Sequence, residues 1–342
     1  MKRIWAVLAL CLLIGCQADL AESSSPTPVD ASTETMTQTQ TATVELTVST
    51  PLPTPSCTPT PTPEPSSTPE PSSTPEPTAK GLMPWTQWNR FTDEGSSLTD
   101  TEYRSPNVSI TLNKVEDTAR TGKSLVYFVA DIYLKDVHCF RRAQSGDDFC
   151  LNETEAMNDF SHRVSALVSI SGDYCGTWDK ALAVVNGEVV FDAGTYNYDL
   201  CVLYEDGTME MIPAKEIDSQ AILAKKPWQT WNFGPILVQE PRIIPPEYNQ
   251  PDTIEDRNPR AVLGYYEPGH YCFVLVEGRQ RGYSMGLNLQ ELSQLMLDLG
   301  CVSAYNLDGG ISAQMAWMGK RINHPGGNRS LRDIAYIAEL LS

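Results

Sequence analysis

The chain has 342 residues, with 25 Lys and Arg against 43 Asp and Glu for a formal charge of −18. That length allows one large or two small domains once unstructured parts are set aside. The acidic balance argues against a nucleic-acid partner and against a polybasic grip on anionic lipid, so a phosphate-bearing ligand must be met by locally placed arginines.

Lys2 and Arg3 precede a short apolar run from Ile4 to Gly15, too short for a comfortable transmembrane helix. The run ends in Leu13-Ile14-Gly15-Cys16, a lipobox-like sequence that predicts cleavage before Cys16 and lipidation of its thiol. A plain signal peptide with an incidental cysteine is the alternative. Either way the mature protein is expected outside the cytoplasm, and in the first case on the extracellular face of a bacterial cell membrane, held by a lipid anchor. Residues 1–15 are thus read as a lipoprotein signal peptide. Residues 16–81 are rich in Pro, Thr, Ser and Glu, and Pro-Ser-Ser-Thr-Pro-Glu occurs at 65–70 and again at 71–76. Such a segment has little to bury and is expected to be disordered and extended, a stalk reaching on the order of 200 Å at about 3.1 Å per residue.

Residues 82–342 are read as one folded domain. Alternating runs predict strands over Val108 to Leu112, Leu125 to Leu134, Val164 to Ile170, Ala181 to Val185 and Leu200 to Tyr204, with hairpin turns at Asn186-Gly187 and Asp206-Gly207. Trp228 and Trp231 are expected to pack core or cover a sheet edge. Tyr271 to Val276 is a continuous apolar run suited to a buried strand. Asn288 can cap a helix over Leu289 to Leu299, with Gly300 at its C-terminal cap. Cys301 to Leu307 then returns into the sheet and brings Asp308 to a strand end. The fold class predicted is α+β, a single mixed domain with a central sheet and helices.

Of nine cysteines, Cys139, Cys150, Cys175, Cys201, Cys272 and Cys301 fall in the domain without a Cys-x-x-Cys spacing, which argues against a zinc cluster. Cys201, Cys272 and Cys301 read as buried thiols. Cys139 and Cys150 flank a polar loop and could bridge in an oxidising exterior. No metal or other cofactor is expected, although carboxylates and carbonyls around Asp308 could hold calcium.

The densest chemical signal is Asn306-Leu307-Asp308-Gly309-Gly310-Ile311-Ser312, followed by Asn323-His324-Pro325-Gly326-Gly327. A carboxylate beside two glycines at a strand exit can meet a charged ligand with both side chain and backbone N–H groups. Alone, Asp308-Gly309 between two alternating runs is equally a hairpin turn. Upstream come Ser171-Gly172-Asp173-Tyr174-Cys175-Gly176, Phe233-Gly234-Pro235, Asn258-Pro259-Arg260 and Glu277-Gly278-Arg279. In this order, over roughly residues 120–342, the series resembles the phosphodiester glycosidase family.

The resemblance implies hydrolysis of a glycosyl-1-phosphodiester, with a phosphate-linked glycan or glycoconjugate as substrate. It implies Asp308 as the principal carboxylate and Asp173 as a second one. Gly309, Gly310 and Ser312 would be donors at the same turn. Asn306 would bind a sugar hydroxyl, or merely tie down a loop. Arg260 matches the family's Asn-Pro-Arg-Thr segment and is suited to fork onto phosphate oxygens. Arg332 lies where the family has an arginine after its last loop, with Arg329 close enough to leave the match open. His324 is kept as a candidate proton donor. The sequence departs from the family pattern at Ser171, Cys175, Ala261 and Ala313, which leaves a rival reading: a surface lipoprotein that kept the fold, binds glycan and has lost turnover.

Overall fold

The computed structural model of the chain describes residues 88–146, 153–174, 180–240, 242–245 and 255–340. The expected signal peptide, Cys16, the linker, Cys150 and Cys175 lie outside the described residues. Among the described residues, no helix is long and apolar enough to cross a membrane.

The first half is sheet: β1 (Ser97–Leu98), β2 (Glu102–Arg104), β3 (Val108–Glu116), β4 (Val126–Leu134), β5 (Phe140–Gln144), then helix α1 (Met157–Arg163), β6 (Val168–Ser171), β7 (Leu182–Val185), β8 (Glu188–Asp192), β9 (Leu200–Tyr204) and β10 (Met209–Ile212). Helix α2 (Ser219–Ala224) leads into β11 (Pro227–Trp231), β12 (Ile236–Gln239), β13 (Arg242–Ile243), β14 (Arg260–Glu267) and β15 (His270–Val276). Helix α3 (Leu289–Asp298), β16 (Ser303–Asn306), β17 (Met315–Trp317), β18 (Lys320–Arg321) and β19 (Asp333–Ile337) follow among the described residues.

A nine-stranded sheet runs β1-β2-β3-β4-β15-β14-β16-β12-β13, and a five-stranded sheet runs β18-β17-β6-β19-β5. A three-stranded sheet (β10-β9-β11) and the β7-β8 hairpin complete the mixed α+β fold. The centre of the large sheet is buried on both faces, which explains the unbroken apolar run of β15. Tyr271, Phe273 and Leu275 enter one core with Phe140, Ile170, Trp231 and Met315, while Cys272, Val274 and Val276 enter another with Leu292, Leu295 and Met296 of α3. The five-stranded sheet shares the first core, so the large sheet has sheet on one side and helix on the other.

Local chemistry sets the joints. Asn186 and Gly187 both take positive φ, 49° and 83°, as the tight β7-β8 turn requires. Trp231 is fully buried, and Trp228 donates its indole N–H to the Phe140 carbonyl at 2.6 Å. The segment Val164 to Ile170 is strand only from Val168; Val164 instead caps α1 and Ser165 turns the chain at φ 53°.

Helix α3 starts in a reciprocal capping box, with the Glu291 N–H on Asn288 Oδ1 at 2.8 Å and the Asn288 N–H on Glu291 Oε2 at 3.1 Å. Gly300 beyond its end takes φ 84°. Asn288→Ala removes one of these bonds and is expected to lower stability by about 1 kcal/mol, a fall of roughly 2–4 °C in the thermal midpoint followed by circular dichroism.

Candidate active site at the junction of two sheets

The Asp308 segment is not a hairpin. β16 belongs to the nine-stranded sheet and β17 to the five-stranded one, so residues 307–314 carry the chain from one sheet to the other. The crossing is pinned on both sides. The Leu307 N–H bonds the Ala261 carbonyl of β14 at 2.8 Å, and the Asp308 N–H bonds the Gly172 carbonyl just past β6 at 3.0 Å. A single turn of 3-10 helix over Gly310–Ser312 follows, with Gly310 at φ 62°. Around this junction lies a cleft of about 350 Å³, whose walls include Ser171, Gly172, Tyr174, Asp308, Ser312, Arg329, Arg332 and Asp333.

Asp308 is half-buried in this cleft. Burial pushes its carboxyl above the usual carboxylate range, against hydrogen bonds from Ser312 and the Gly309 N–H and the positive field of Arg329; Asp173 pushes in the same direction as burial. Arg329 donates Nη1–H to Ser312 Oγ at 3.3 Å, so guanidinium, hydroxyl and carboxylate form a continuous chain along one wall. Arg332, also in the lining, lies with Cζ 4.9 Å from the centre of the Tyr174 ring. Both arginines left open by the sequence reading line the cleft, and Arg329 is the one coupled to Asp308.

Beneath the cleft is a buried ion cluster that sequence reasoning missed. Arg142 on β5 is fully buried and donates to Asp173 Oδ1 and to Asp333 Oδ2, the latter at 2.9 Å. Asp333 also accepts the N–H groups of Asp173 and Tyr174, each at 3.0 Å, which holds the turn after β6. Gly172 is required there, because a Cβ would collide with the Asp333 carboxylate. Burial pushes Asp333 up to about 7; Arg142 pulls it down and Asp173 pushes it further up. Asp173, expected as the second carboxylate, is instead wholly buried, with its remaining oxygen accepting the Asn232 N–H at 2.8 Å. Asp333 borders the cleft, but it is only 2% exposed and its carboxylate is turned inward to Arg142, as that of Asp173 is. The signal for Asp333 in the sequence is an acid immediately before the apolar run Ile334 to Ala338, where an acid entering a core strand needs a buried cation.

The other expected site residues divide. Ser312 lines the cleft. The Gly309 N–H is directed to Asp308 itself, and the Gly310 N–H bonds the Pro259 carbonyl at 2.9 Å, so neither is spare for a ligand. Asn306 does not reach the cleft; it is buried and ties down the loop before β12 through Nδ2–H to the Gly234 carbonyl at 2.8 Å. Arg260 is also buried and turned inward, bonding the carbonyls of Leu287 and Asp256, both at 3.1 Å, while burial and nearby Arg279 pull it down to about 10. Its place beside the turn is taken by Arg279, whose guanidinium lies 3.4 Å from where a Cβ on Gly310 would be. His324 is exposed and outside the cleft lining, with its N–H on Glu277 Oε1 at 2.8 Å. Among the described residues, no group of three or more His, Cys, Asp or Glu is arranged to hold a metal ion. Two of the departures from the family pattern, Ala261 and Ala313, are fully buried in the core and strip nothing from the cleft.

The family model for phosphodiester glycosidases matches residues 164–338, the stretch that contains β6, β16, β17, β19 and every cleft residue named above. The chain belongs to the phosphodiester glycosidase family. The uncharacterized SPbeta prophage-derived protein YomE of Bacillus subtilis is 33% identical over 138 residues, covering 39% of this chain and 21% of that protein. The chain thus spans about a fifth of the length of this curated relative. Among solved structures, the zebrafish N-acetylglucosamine-1-phosphodiester alpha-N-acetylglucosaminidase catalytic domain, auto-inhibited by its pro-peptide, superposes with a TM-score of 0.55 at 16% identity, over 77% of this chain and 96% of that one. A hypothetical protein from Synechocystis gives 0.53 at 11%, over 68% and 62%. These two likenesses concern the fold alone.

Proposed function

We propose that this phosphodiester glycosidase domain hydrolyses a glycosyl-1-phosphodiester in the Asp308 cleft. The observation that carries the reading is the wall on which Arg329, Ser312 and Asp308 are linked in series, placing a cation and a carboxylate within one small cleft. In the reaction, water adds to the anomeric carbon, the bond from that carbon to the phosphate oxygen breaks, and the water's proton passes to Asp308. The departing phosphomonoester leaves as an anion whose last ionisation lies near pH 6, so no strong proton donor is demanded on the leaving side. Arg329 and Arg332 are the groups that would hold the phosphate, and their positive charge offsets the charge that develops on it. Asp333 and Arg142 act indirectly, by fixing the Ser171 to Tyr174 wall. The reading includes export and a lipid tether at Cys16, supported by Leu13-Ile14-Gly15-Cys16 and the Pro/Thr/Ser-rich segment that follows.

The test is release of free sugar from N-acetylglucosamine-1-phosphodiesters by the purified domain beginning near Gly81. Arg329→Met is expected to raise KM roughly 10- to 100-fold, because a charged hydrogen bond to phosphate is lost. Binding of these compounds without any sugar release would overturn hydrolysis in favour of a glycan-binding protein.

A further inference from the structure

We infer that Cys272 and Cys301 are a disulfide-forming pair, a covalent cross-link site between the central sheet and the end of helix α3. Their sulfurs face each other at 3.8 Å, in contact and unbonded, and both residues are completely buried. Bond formation brings the sulfurs to about 2.0 Å and the two Cα atoms to within roughly 7 Å, and because β14 lies between β15 and β16 the chain at the end of α3 must draw toward β15 as the bond closes.

The sheet is shaped to let them meet. Cys272 on β15 is directly opposite Gly264 on β14, and Gly264 is opposite Ala304 on β16, three residues after Cys301. On the face covered by α3, Gly264 contributes no side chain. A Cβ there would lie 2.5 Å from Cys272 Sγ and 2.9 Å from both Cys301 Sγ and the Met296 methyl. A glycine inside a central strand costs stability, and here the space it leaves is filled by the two sulfurs. The Tyr266 hydroxyl completes the enclosure by hydrogen bonding to both thiols.

The chemistry is thiol–disulfide exchange with a small-molecule or protein disulfide as oxidant. One cysteine, as thiolate, attacks the oxidant and releases one thiol; the second cysteine attacks the mixed disulfide and releases the other. Two protons leave the protein, the pair loses two electrons and the oxidant is reduced to two thiols. Attack needs an accessible thiolate, and the native packing denies it, so the bond forms during folding, before α3 docks. Once made, it closes the segment from β15 to β16 that holds α3 and Arg279, and it removes conformational freedom from the unfolded chain.

The experiment is refolding of the full chain from denaturant with oxidised glutathione, beside a sample refolded in dithiothreitol, followed by peptide mass mapping without reduction. Oxidative refolding is expected to give a linked Cys272–Cys301 peptide pair and a thermal midpoint on the order of 5–10 °C above the reduced sample. Cys301→Ala should lose both the linked pair and the rise. If that variant fails to fold, the mapping on the unsubstituted chain still decides. Recovery of folded protein with both thiols open to alkylation after denaturation, with either one carried as a glutathione adduct, or with both holding a soft metal ion would overturn the inference.

Discussion

Arg142→Met is expected to unfold the domain or lower its thermal midpoint by more than about 10 °C. The guanidinium is fully buried between Asp173 and Asp333, and it also donates to the Thr230 carbonyl of β11. Methionine fills much of the volume but leaves two carboxylates without their shared cation. Breaking one side of a buried ion cluster costs about 3–5 kcal/mol, whereas an apolar replacement of the whole cluster is often tolerated. For a domain of this size each kcal/mol shifts the midpoint by roughly 2–4 °C. The location enlarges the effect: the cluster joins β5, β6 and β19 of the five-stranded sheet to β11 of the three-stranded one. Adding Asp173→Asn to Arg142→Met should recover part of the loss, since one fewer buried charge is then stranded, whereas Asp333 must stay an acid because each of its oxygens accepts a backbone N–H. The pH dependence has a defined sign. Asp333 already sits at about 7 in the folded protein because of burial, and Arg142 is the group that pulls it down. Without Arg142, protonated Asp333 favours the fold, so any residual stability of the single variant is greatest in acid and falls as pH rises through the folded value. Melting curves at pH 5 and pH 8 test this; greater stability at pH 8 would contradict it.

Much of the framework was legible because its signals are local. The Asn186-Gly187 and Asp206-Gly207 turns, the apolar run of β15 and the Asn288 cap of α3 each depend on neighbours a few residues away, and each stands where the pattern puts it. The site was legible only in part, because its partnerships are long-range. Arg142 meets Asp173 and Asp333 from 31 and 191 residues away, and an isolated acid such as Asp173 looks the same in sequence whether it faces substrate or an internal arginine. Asn306 illustrates a second limit. Alternation places it two residues before Asp308, but the chain leaves the sheet after Asn306, so the two side chains no longer share a face. Arg260 fails for a related reason: the motif fixes its position beside the turn, and its long side chain then folds back to the Leu287 and Asp256 carbonyls.

Asp308→Asn is expected to reduce turnover at least ~10³-fold while leaving stability unchanged or raised. The amide has the shape of the carboxylate and keeps one acceptor oxygen on this wall, and the crossing between the sheets keeps its backbone anchors at Leu307 and Asp308. What is lost is the negative charge that, in the proposed reaction, accepts the water's proton and steadies an oxocarbenium-like centre. Holding that charge is unfavourable to the fold, because burial raises the Asp308 carboxyl above its ordinary value. A carboxyl with a raised folded pKa contributes stability below its unfolded value and loses it as pH rises through the folded one, so a neutral amide relieves the domain at pH 7. The same shift sets the acid limb of activity. The ionised form is needed, so kcat/KM should fall with decreasing pH at a value above the usual carboxylate range, and the variant's residual rate should show no such limb. Loss of turnover with retained melting temperature and retained ligand binding separates a chemical role from a structural one. Full turnover in the variant would overturn Asp308 as the base, and Asp333 could not replace it while its carboxylate is buried against Arg142.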